Sequence, residues 1–182
     1  SKDIDIATSA HPKKVLEIME NAGLKALPTG IEHGTVTVVA DKRNYEITTL
    51  REDIETDGRR AKVKFTKSIL EDAKRRDFSI NAIYSEQDGT ILDPLNGIDD
   101  ILGKRIKFIG DPYARIKEDY LRILRFFRFL ALFGEEDENH EIEITALNNL
   151  RNGLDTVSAE RKSHEIFKLF AATKLEYSIF LK

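Results

Sequence analysis

Two carboxylates separated by one residue stand at the beginning of the chain, in the stretch Asp3-Ile4-Asp5-Ile6. If this stretch is a β-strand, its side chains alternate between faces, so the two carboxylates share one face and the two isoleucines share the other. Mg²⁺ is the hard cation suited to one or two carboxylates plus substrate phosphates. The spacing therefore indicates a metal site for phosphoryl or nucleotidyl transfer, or else an exposed edge strand or terminus whose charges face water.

A third carboxylate could join this pair from a second strand. Residues 35–40 and 45–50 are rich in β-branched side chains and predict two strands, joined by a hairpin turn at Lys42-Arg43-Asn44. Glu46 then lies on the polar face of the second of these strands. If that face adjoins the carboxylate face of the first strand, Glu46 is a further metal ligand; otherwise it is a glutamate on the sheet surface.

Residues 75–82 interleave polar and charged side chains with apolar ones. The apolar residues anchor the segment, so that Arg76, Asp77 and Asn81 can project from it. An arginine fork binds phosphate oxygens bidentately, and an asparagine amide can hydrogen-bond a sugar hydroxyl. The segment is therefore a candidate nucleotide-binding site, although Arg76 and Asp77 could equally form an ion pair at the end of a helix.

Residues 116–133 predict one long helix with an apolar surface on nearly all sides, which is typical of a buried helix. At about 100° per residue, one stripe of this helix carries Glu118, Arg122 and Arg125 at its centre and Asp119 and Arg128 at its borders. Five charges cannot be buried without partners. The stripe therefore faces a cleft, a partner or an internal ion-pair network, of which pairing of Asp119 with Arg122 is the simplest example.

The remaining patterns predict an α+β chain in two parts. Strands interspersed with helices cover residues 1–109, and helices cover residues 110–182. Within the first part we expect a helix beginning near Pro12, a turn at Pro28-Thr29-Gly30, and a mobile loop over residues 51–67 that could act as a lid. A second helix begins after Ser68, which suits an N-cap.

Composition bounds the class of protein. The chain has 182 residues, 41% of them hydrophobic and 34% charged, which is typical of a globular protein with a highly charged surface. Cysteine is absent, which excludes disulfides and thiolate metal sites. No apolar run approaches the roughly 20 residues needed to cross a bilayer, and no signal peptide is recognisable. We therefore predict a cytoplasmic protein with no membrane partner.

Charge is distributed unevenly along the chain. The total is −3, but residues 59–128 carry 16 Lys and Arg against 11 Asp and Glu, which is a local excess of +5 (16 − 11). A basic centre between acidic ends suits a polyanionic substrate, and solvated surface charge explains it equally well.

Seven stretches of the chain, taken in order, resemble the class II tRNA nucleotidyltransferases, or CCA-adding enzymes, which share a head domain with bacterial poly(A) polymerases. Each stretch is a weak signal by itself, and their common order makes the resemblance specific. The stretches are Asp3 to Thr8, Pro28 to Val38, Tyr45 to Thr49, Arg75 to Ala82, Asp93 to Gly97, Glu118 to Arg125 and Ser158 to Arg161.

The resemblance implies a fold and a set of roles. The fold would be a nucleotidyltransferase head domain with a mixed sheet over residues 1–109, followed by an all-helical neck over residues 110–182 that reads the nucleotide base. Asp3 and Asp5 would be the catalytic residues and would hold Mg²⁺. The nucleotide-binding residues would be Arg76, Asp77 and Asn81 for sugar and triphosphate, Asp119 and Arg122 for the base, and Arg125 and Arg128 in support.

The implied partners are the tRNA 3′ end, CTP and ATP. Family members carry a glycine-rich strand before the paired aspartates and further helical domains after the last motif. We therefore expect a fragment or a split protein, completed by another polypeptide. A-only addition, as in a poly(A) polymerase, and a non-catalytic remnant that binds nucleotide or RNA are the alternatives.

Elementary hydrogen bonding supports the implied base recognition. Cytosine and adenine both present an exocyclic amine donor beside a ring-nitrogen acceptor, so one carboxylate and one guanidinium can satisfy either base. Guanine and uracil place a carbonyl where the amine would be, facing Asp119 with a second acceptor. Unpaired polar groups of this kind permit discrimination of the order of 10⁴.

Overall fold

The computed structural model describes residues 4–57, 60–135 and 140–172. The chain forms two compact units, residues 1–75 and residues 76–182. The predicted α+β class, with a mixed sheet followed by helices, is confirmed. In the part of the chain that the structure describes, no helix is both long enough and apolar enough to span a membrane.

A four-stranded sheet forms the centre of the first unit. Its strands are β1 (Asp5–Thr8), β2 (Lys25–Gly30), β3 (Thr35–Ala40) and β4 (Arg43–Thr49), in the order β1-β4-β3-β2. β1 pairs with β4 in parallel, and the other two pairings are antiparallel. Alternation places the apolar residues of β3 and β4 on one face and polar residues on the other.

The helix α1 (Pro12–Asn21) covers the apolar face of this sheet. It begins at Pro12 as predicted, with His11 as its N-cap. Val15 on the helix packs with Val36, Val38 and Ile47 of the sheet, and these four buried residues form the core of the first unit.

Residues 51–67 do not form the expected mobile loop. They contain two paired antiparallel strands, β5 (Arg51–Asp57) and β6 (Arg60–Phe65), and residues 58 and 59 lie outside the described residues. Dense charge suggested a loop, but a strand can carry charge that pairs across the ladder, as Glu52 does with Lys64 at 2.6 Å.

Two turn predictions were also wrong. Residues 28–30 belong to β2, an edge strand whose register shifts between Leu27 and Gly30, and a proline is tolerated at such an irregularity of an edge strand. The hairpin turn between β3 and β4 lies at Asp41 and Lys42, both with positive φ, so β4 begins at Arg43, inside the predicted turn. α2 (Ile69–Lys74) follows its predicted cap, Ser68.

Helices make up most of the second unit. A short hairpin of β7 (Tyr84–Ser85) and β8 (Ile91–Leu92) precedes α3 (Gly97–Leu102), α4 (Pro112–Glu118), α5 (Leu121–Phe133), α6 (Glu141–Leu150) and α7 (Ala159–Ala172). The core of this unit combines residues from α4, α5 and α6 with Phe78, Ile106 and Phe108 from the loops.

The predicted helix over residues 116–133 is two helices. The chain is extended at Asp119, between α4 and α5, and the Asp119 side chain accepts a hydrogen bond from the Leu121 N–H at 3.1 Å. The single helical wheel that placed Asp119 in the charged stripe was therefore wrong, whereas Glu118 does contact Arg122 of the same stripe. Burial on nearly all sides was also wrong, because Phe127 and Phe133 of α5 are 41% and 53% exposed.

Candidate functional site

The carboxylates of β1 and β4 lie side by side. Asp5 is the register partner of Glu46 in the parallel pairing, so both side chains project from the same, polar face of the sheet, and both are exposed. Thr37 is the partner of Glu46 on the other side and extends the polar row to a third strand. The polar face of β4 thus adjoins that of β1 at Asp5, which is the arrangement that a role for Glu46 as a third carboxylate requires, while Asp3 lies outside the described residues.

The donor atoms of this pair suit a hard divalent cation. Neighbouring strands lie about 4.8 Å apart, so the carboxylates of Asp5 and Glu46 can supply oxygen ligands to one ion, and Mg²⁺ accepts as few as one or two carboxylates. Within residues 4–57, 60–135 and 140–172, no three His, Cys, Asp or Glu side chains are grouped as a ready metal cage. The residues present therefore fit an ion that takes its remaining ligands from substrate and water.

Asp77 is the centre of a hydrogen-bonded cluster in the second unit, and it is only 8% exposed. Its Oδ1 accepts hydrogen bonds from the Phe78 N–H and the Asn81 amide, both at 3.0 Å, and its Oδ2 accepts from Arg125 Nε at 2.6 Å. Burial by itself would raise the pKa of Asp77, but the positive charge of Arg125 and these hydrogen bonds lower it below its usual value. Asp77 is therefore a fixed anion at neutral pH.

Arg76 lies beside this cluster. Its guanidinium stacks 4.9 Å above the Tyr84 ring centroid and donates to the Tyr84 hydroxyl at 3.1 Å and to the Asn81 carbonyl at 3.0 Å. Arg115, which the sequence reading did not select, donates to the Arg76 carbonyl. The simple ion pair between Arg76 and Asp77 that we considered does not form, because the carboxylate of Asp77 binds Arg125 instead.

Asp119 and Arg122 lie one turn apart at the beginning of α5, joined by a backbone hydrogen bond of 3.0 Å. The predicted ion pair between these two side chains does not form. The Asp119 Oδ2 accepts from Arg161 at 2.7 Å, and Arg122 donates through NH1 to Glu118 and to the Arg115 carbonyl, each at 2.6 Å. Among contacts with the described residues only NH1 of Arg122 is used, so Nε and NH2 can still donate.

Arg115 links the two predicted parts of the nucleotide site. It contacts the Arg76 carbonyl and, through NH1, the Glu118 carboxylate that also binds Arg122. Burial, followed by the nearby charge of Arg122, lowers the pKa of Arg115. The spacing of Arg115 and Glu118, three residues apart on one helix, was the signal that could have revealed this link.

Arg128 has a buried partner that the sequence did not reveal. It forms an ion pair with Glu165 of α7, which is 3% exposed, and its guanidinium lies 4.1 Å from the Phe129 ring centroid. Arg161, one turn earlier on α7, holds Asp119. Two residues one turn apart on α7 therefore contact Asp119 and Arg128. Arg128 thus links α5 to α7 in the structure.

The structure therefore assembles six of the predicted residues into two linked groups. Arg76, Asp77, Asn81 and Arg125 form one group, and Asp119 and Arg122 form the other. An open cavity of about 420 Å³ lies elsewhere in the second unit, lined by residues between 79 and 110. None of the seven predicted nucleotide-binding residues lines that cavity.

A model of the family described as Poly A polymerase head domain matches residues 1–107, which is more than half of the chain. The chain belongs to the Poly A polymerase head domain family. The resemblance to CCA-adding enzymes and bacterial poly(A) polymerases is thereby confirmed.

The chain is also similar along nearly its whole length to several curated proteins. The chain is 40% identical over 182 residues to human CCA tRNA nucleotidyltransferase 1, mitochondrial, covering 99% of this chain and 42% of the relative. It is 42% identical over 183 residues to the CCA-adding enzyme of Leuconostoc citreum strain KM20, covering 97% of this chain and 44% of the relative. The chain thus spans less than half the length of these relatives.

A solved structure of the Bacillus stearothermophilus CCA-adding enzyme in complex with CTP superposes with a TM-score of 0.80 at 36% identity. The match covers 93% of this chain and 40% of that one. A tRNA nucleotidyltransferase complexed with a primer tRNA and an incoming ATP analog superposes with a TM-score of 0.71 at 24% identity, which shows a shared fold.

Proposed function

We propose that this chain carries the catalytic head of an enzyme that adds C and A from CTP and ATP to tRNA 3′ ends. The observation that carries nucleotidyl transfer is the pair Asp5 and Glu46, two carboxylates at paired positions on the exposed polar face of the sheet. The names of the relatives favour CCA addition as the particular reaction.

We assign the metal-holding and catalytic role to Asp3 and Asp5, with Glu46 as a further ligand. Mg²⁺ bound there would supply Lewis-acid stabilisation of charge on the attacking and leaving oxygens. The reaction is an in-line attack of the RNA 3′-hydroxyl on the nucleotide α-phosphorus, which releases pyrophosphate. The contribution of the protein is then to fix the carboxylates and to orient the nucleotide.

Asp77, Asn81, Arg76 and Arg125 are proposed to bind the sugar and triphosphate. Asp77 is anionic and accepts one hydrogen bond at Oδ2, so this oxygen retains a lone pair that can accept from a ribose hydroxyl. The two arginines bring positive charge to the same segment, where it can attract phosphate oxygens. The contacts of Arg128 with Glu165 favour a supporting role for this arginine, at a distance from the nucleotide.

Asp119 and Arg122 are proposed to read the base. Each oxygen of Asp119 accepts one hydrogen bond, from Leu121 or Arg161, and can accept another from an exocyclic amine. The Nε and NH2 groups of Arg122 can donate a hydrogen bond to a ring nitrogen of the base. Arg161 and Glu118 hold the two side chains in place, so the pair would offer a fixed acceptor beside a fixed donor.

A poly(A) polymerase is the second candidate, because the matching family model carries that name. A non-catalytic nucleotide-binding remnant is the third candidate. We propose that residues 1–109 are the functional head and that residues 110–182 are the neck that reads the base. We also propose that a partner polypeptide supplies further segments and that the protein acts in the cytoplasm.

The decisive experiment incubates the chain with tRNA lacking its terminal CCA, Mg²⁺ and one labelled nucleotide at a time. Addition of C and then A supports CCA addition, runs of A indicate a poly(A) polymerase, and binding without incorporation indicates a remnant. Asp5→Asn should abolish incorporation, since the amide supplies one fewer anionic ligand.

Glu20→Gln is the matched control for Asp5→Asn. Glu20 is an exposed carboxylate on α1, the helix that covers the opposite face of the sheet. Glu20→Gln should retain full incorporation. Incorporation by Asp5→Asn at the rate of the unaltered chain would refute the assignment of Asp5.

A further inference from the structure

The backbone that carries Asp77 is clamped between two other segments of its unit. On one side it forms a short two-stranded contact with residues 107–109: the Ser79 N–H donates to the Lys107 carbonyl at 3.1 Å, and the Ile109 N–H donates to the Asp77 carbonyl at 3.0 Å. Phe78, between these two bonds, is completely buried in the core. This contact fixes the position and direction of residues 77–79 relative to residues 107–109.

A second clamp comes from the side chain of Ser79. Its hydroxyl donates to Asp100 Oδ2 at 2.7 Å, and Asp100, on α3, is 7% exposed. Asp100 Oδ1 accepts from Arg105 Nε at 3.0 Å, so the Asp100 carboxylate is paired with a residue of the loop that follows α3. A buried charge-assisted hydrogen bond of this kind is among the stronger side-chain contacts.

α3 also touches the segment directly. A methyl group added to Gly97, the first residue of α3, would lie 2.3 Å from the Ser79 carbonyl oxygen, which is far inside van der Waals contact. Asp93 fixes this helix start by accepting from the Gly97 N–H at 2.8 Å and the Ile98 N–H at 2.9 Å. The beginning of α3 therefore packs against the backbone of Ser79, which lies midway in the sequence between Asp77 and Asn81.

We infer that the Ser79–Asp100 hydrogen bond is a positioning device for nucleotide binding, which acts through Asp77 and Asn81. Neither Ser79 nor Asp100 is assigned a contact with substrate. Their bond orients the turn that closes the Asn81 to Asp77 hydrogen bond, and so sets the direction in which the Asp77 carboxylate presents its remaining lone pair. The inference rests on the proposed function, because it assigns the positioned groups to the nucleotide.

The first measurement needs no nucleotide. The Arg125 Nε–H is bonded to Asp77, and its hydrogen exchange can be followed by NMR. Ser79→Ala should accelerate this exchange at least tenfold, and Ser79→Ala added to Asp100→Ala should accelerate it no further, because Asp100→Ala has already removed the acceptor of the bond. Ser85→Ala, which removes an exposed hydroxyl from the same unit, is the matched control and should leave the exchange unchanged.

The second measurement is the Kd of the chain for CTP, far below the unfolding temperature. Loss of orientation should weaken CTP binding by about tenfold in Ser79→Ala, the equivalent of one hydrogen bond. A bond that serves stability alone would lower the Tm of Ser79→Ala and leave both the exchange and the Kd of the folded chain unaltered. That result would overturn the inference.

The two measurements separate this inference from the proposed function. If the unaltered chain binds no CTP, the proposed function fails, and the assignment to nucleotide falls with it, whatever the exchange shows. If the unaltered chain binds CTP and the Ser79→Ala variant binds it equally well, the positioning inference fails alone. Faster exchange together with weaker binding supports it.

Discussion

Replacing Asp77 with asparagine tests the electrostatic account of the cluster most directly. Asp77→Asn keeps the shape of the side chain but removes its charge and replaces one acceptor oxygen with a donor. Three N–H donors converge on this carboxylate, one of them the Arg125 guanidinium at 2.6 Å. Hydrogen bonds to charged groups contribute about 1.5–3 kcal/mol, so we expect the free energy of unfolding to fall by about 2 kcal/mol at pH 7.

This loss should depend on pH in a defined direction. The pKa of Asp77 is lowered in the folded state from its usual value of 3.8, so the unfolded chain binds the proton more readily. The contribution of the carboxylate is therefore complete above pH 3.8 and is lost as the pH falls through the lower, folded pKa. The difference between the original chain and Asp77→Asn should shrink correspondingly in acid.

Urea unfolding followed by far-ultraviolet circular dichroism is a suitable assay, because most helices lie in the unit that contains Asp77. Asp99→Asn, a change at an exposed position on α3, is the control and should alter stability by less than about 0.5 kcal/mol. An Asp77→Asn effect that is equally large at pH 7 and in acid would refute the reasoning, since the charge would then contribute nothing.

Two further predictions concern α5. Arg128→Met should lower the free energy of unfolding in urea by about 3 kcal/mol, because it leaves the buried Glu165 carboxylate without its partner. The double variant Arg128→Met with Glu165→Met should recover most of that loss. Equal instability of the single and the double variant would contradict the ion-pair account. Asp119→Ala should raise the affinity for UTP relative to CTP in a competition assay, whereas Asp111→Ala, which removes a comparable helix cap from α4, should leave the CTP to UTP ratio unchanged. An unaltered ratio in Asp119→Ala would exclude it from base reading.

Patterns within single elements were predicted correctly. The start of α1 at Pro12 and the cap at Ser68 follow from the preferences of proline and serine for the first positions of helices. Alternation along β4 predicted the polar face that carries Glu46, but the position of that face beside Asp5 was one of two alternatives that the sequence left open. The hairpin over residues 51–65 was missed because its dense charge is typical of a loop, and the pairing of Glu52 with Lys64 joins residues of two different strands. The break at Asp119 was missed, although aspartate favours the ends of helices over their interiors.

The sequence by itself determined the family, the α+β class and the types of residue available for chemistry, because these depend on local periodicity and on the order of short motifs. Tertiary structure alone decided the partners: Arg125 for Asp77, Arg161 for Asp119 and Glu165 for Arg128. These partners are separated by 37 to 48 residues along the chain, so no pattern within a helix or strand encodes them. Opposite charge limits which residues could be the partner of each of these side chains, but only the packing of the helices and loops decides which of them is.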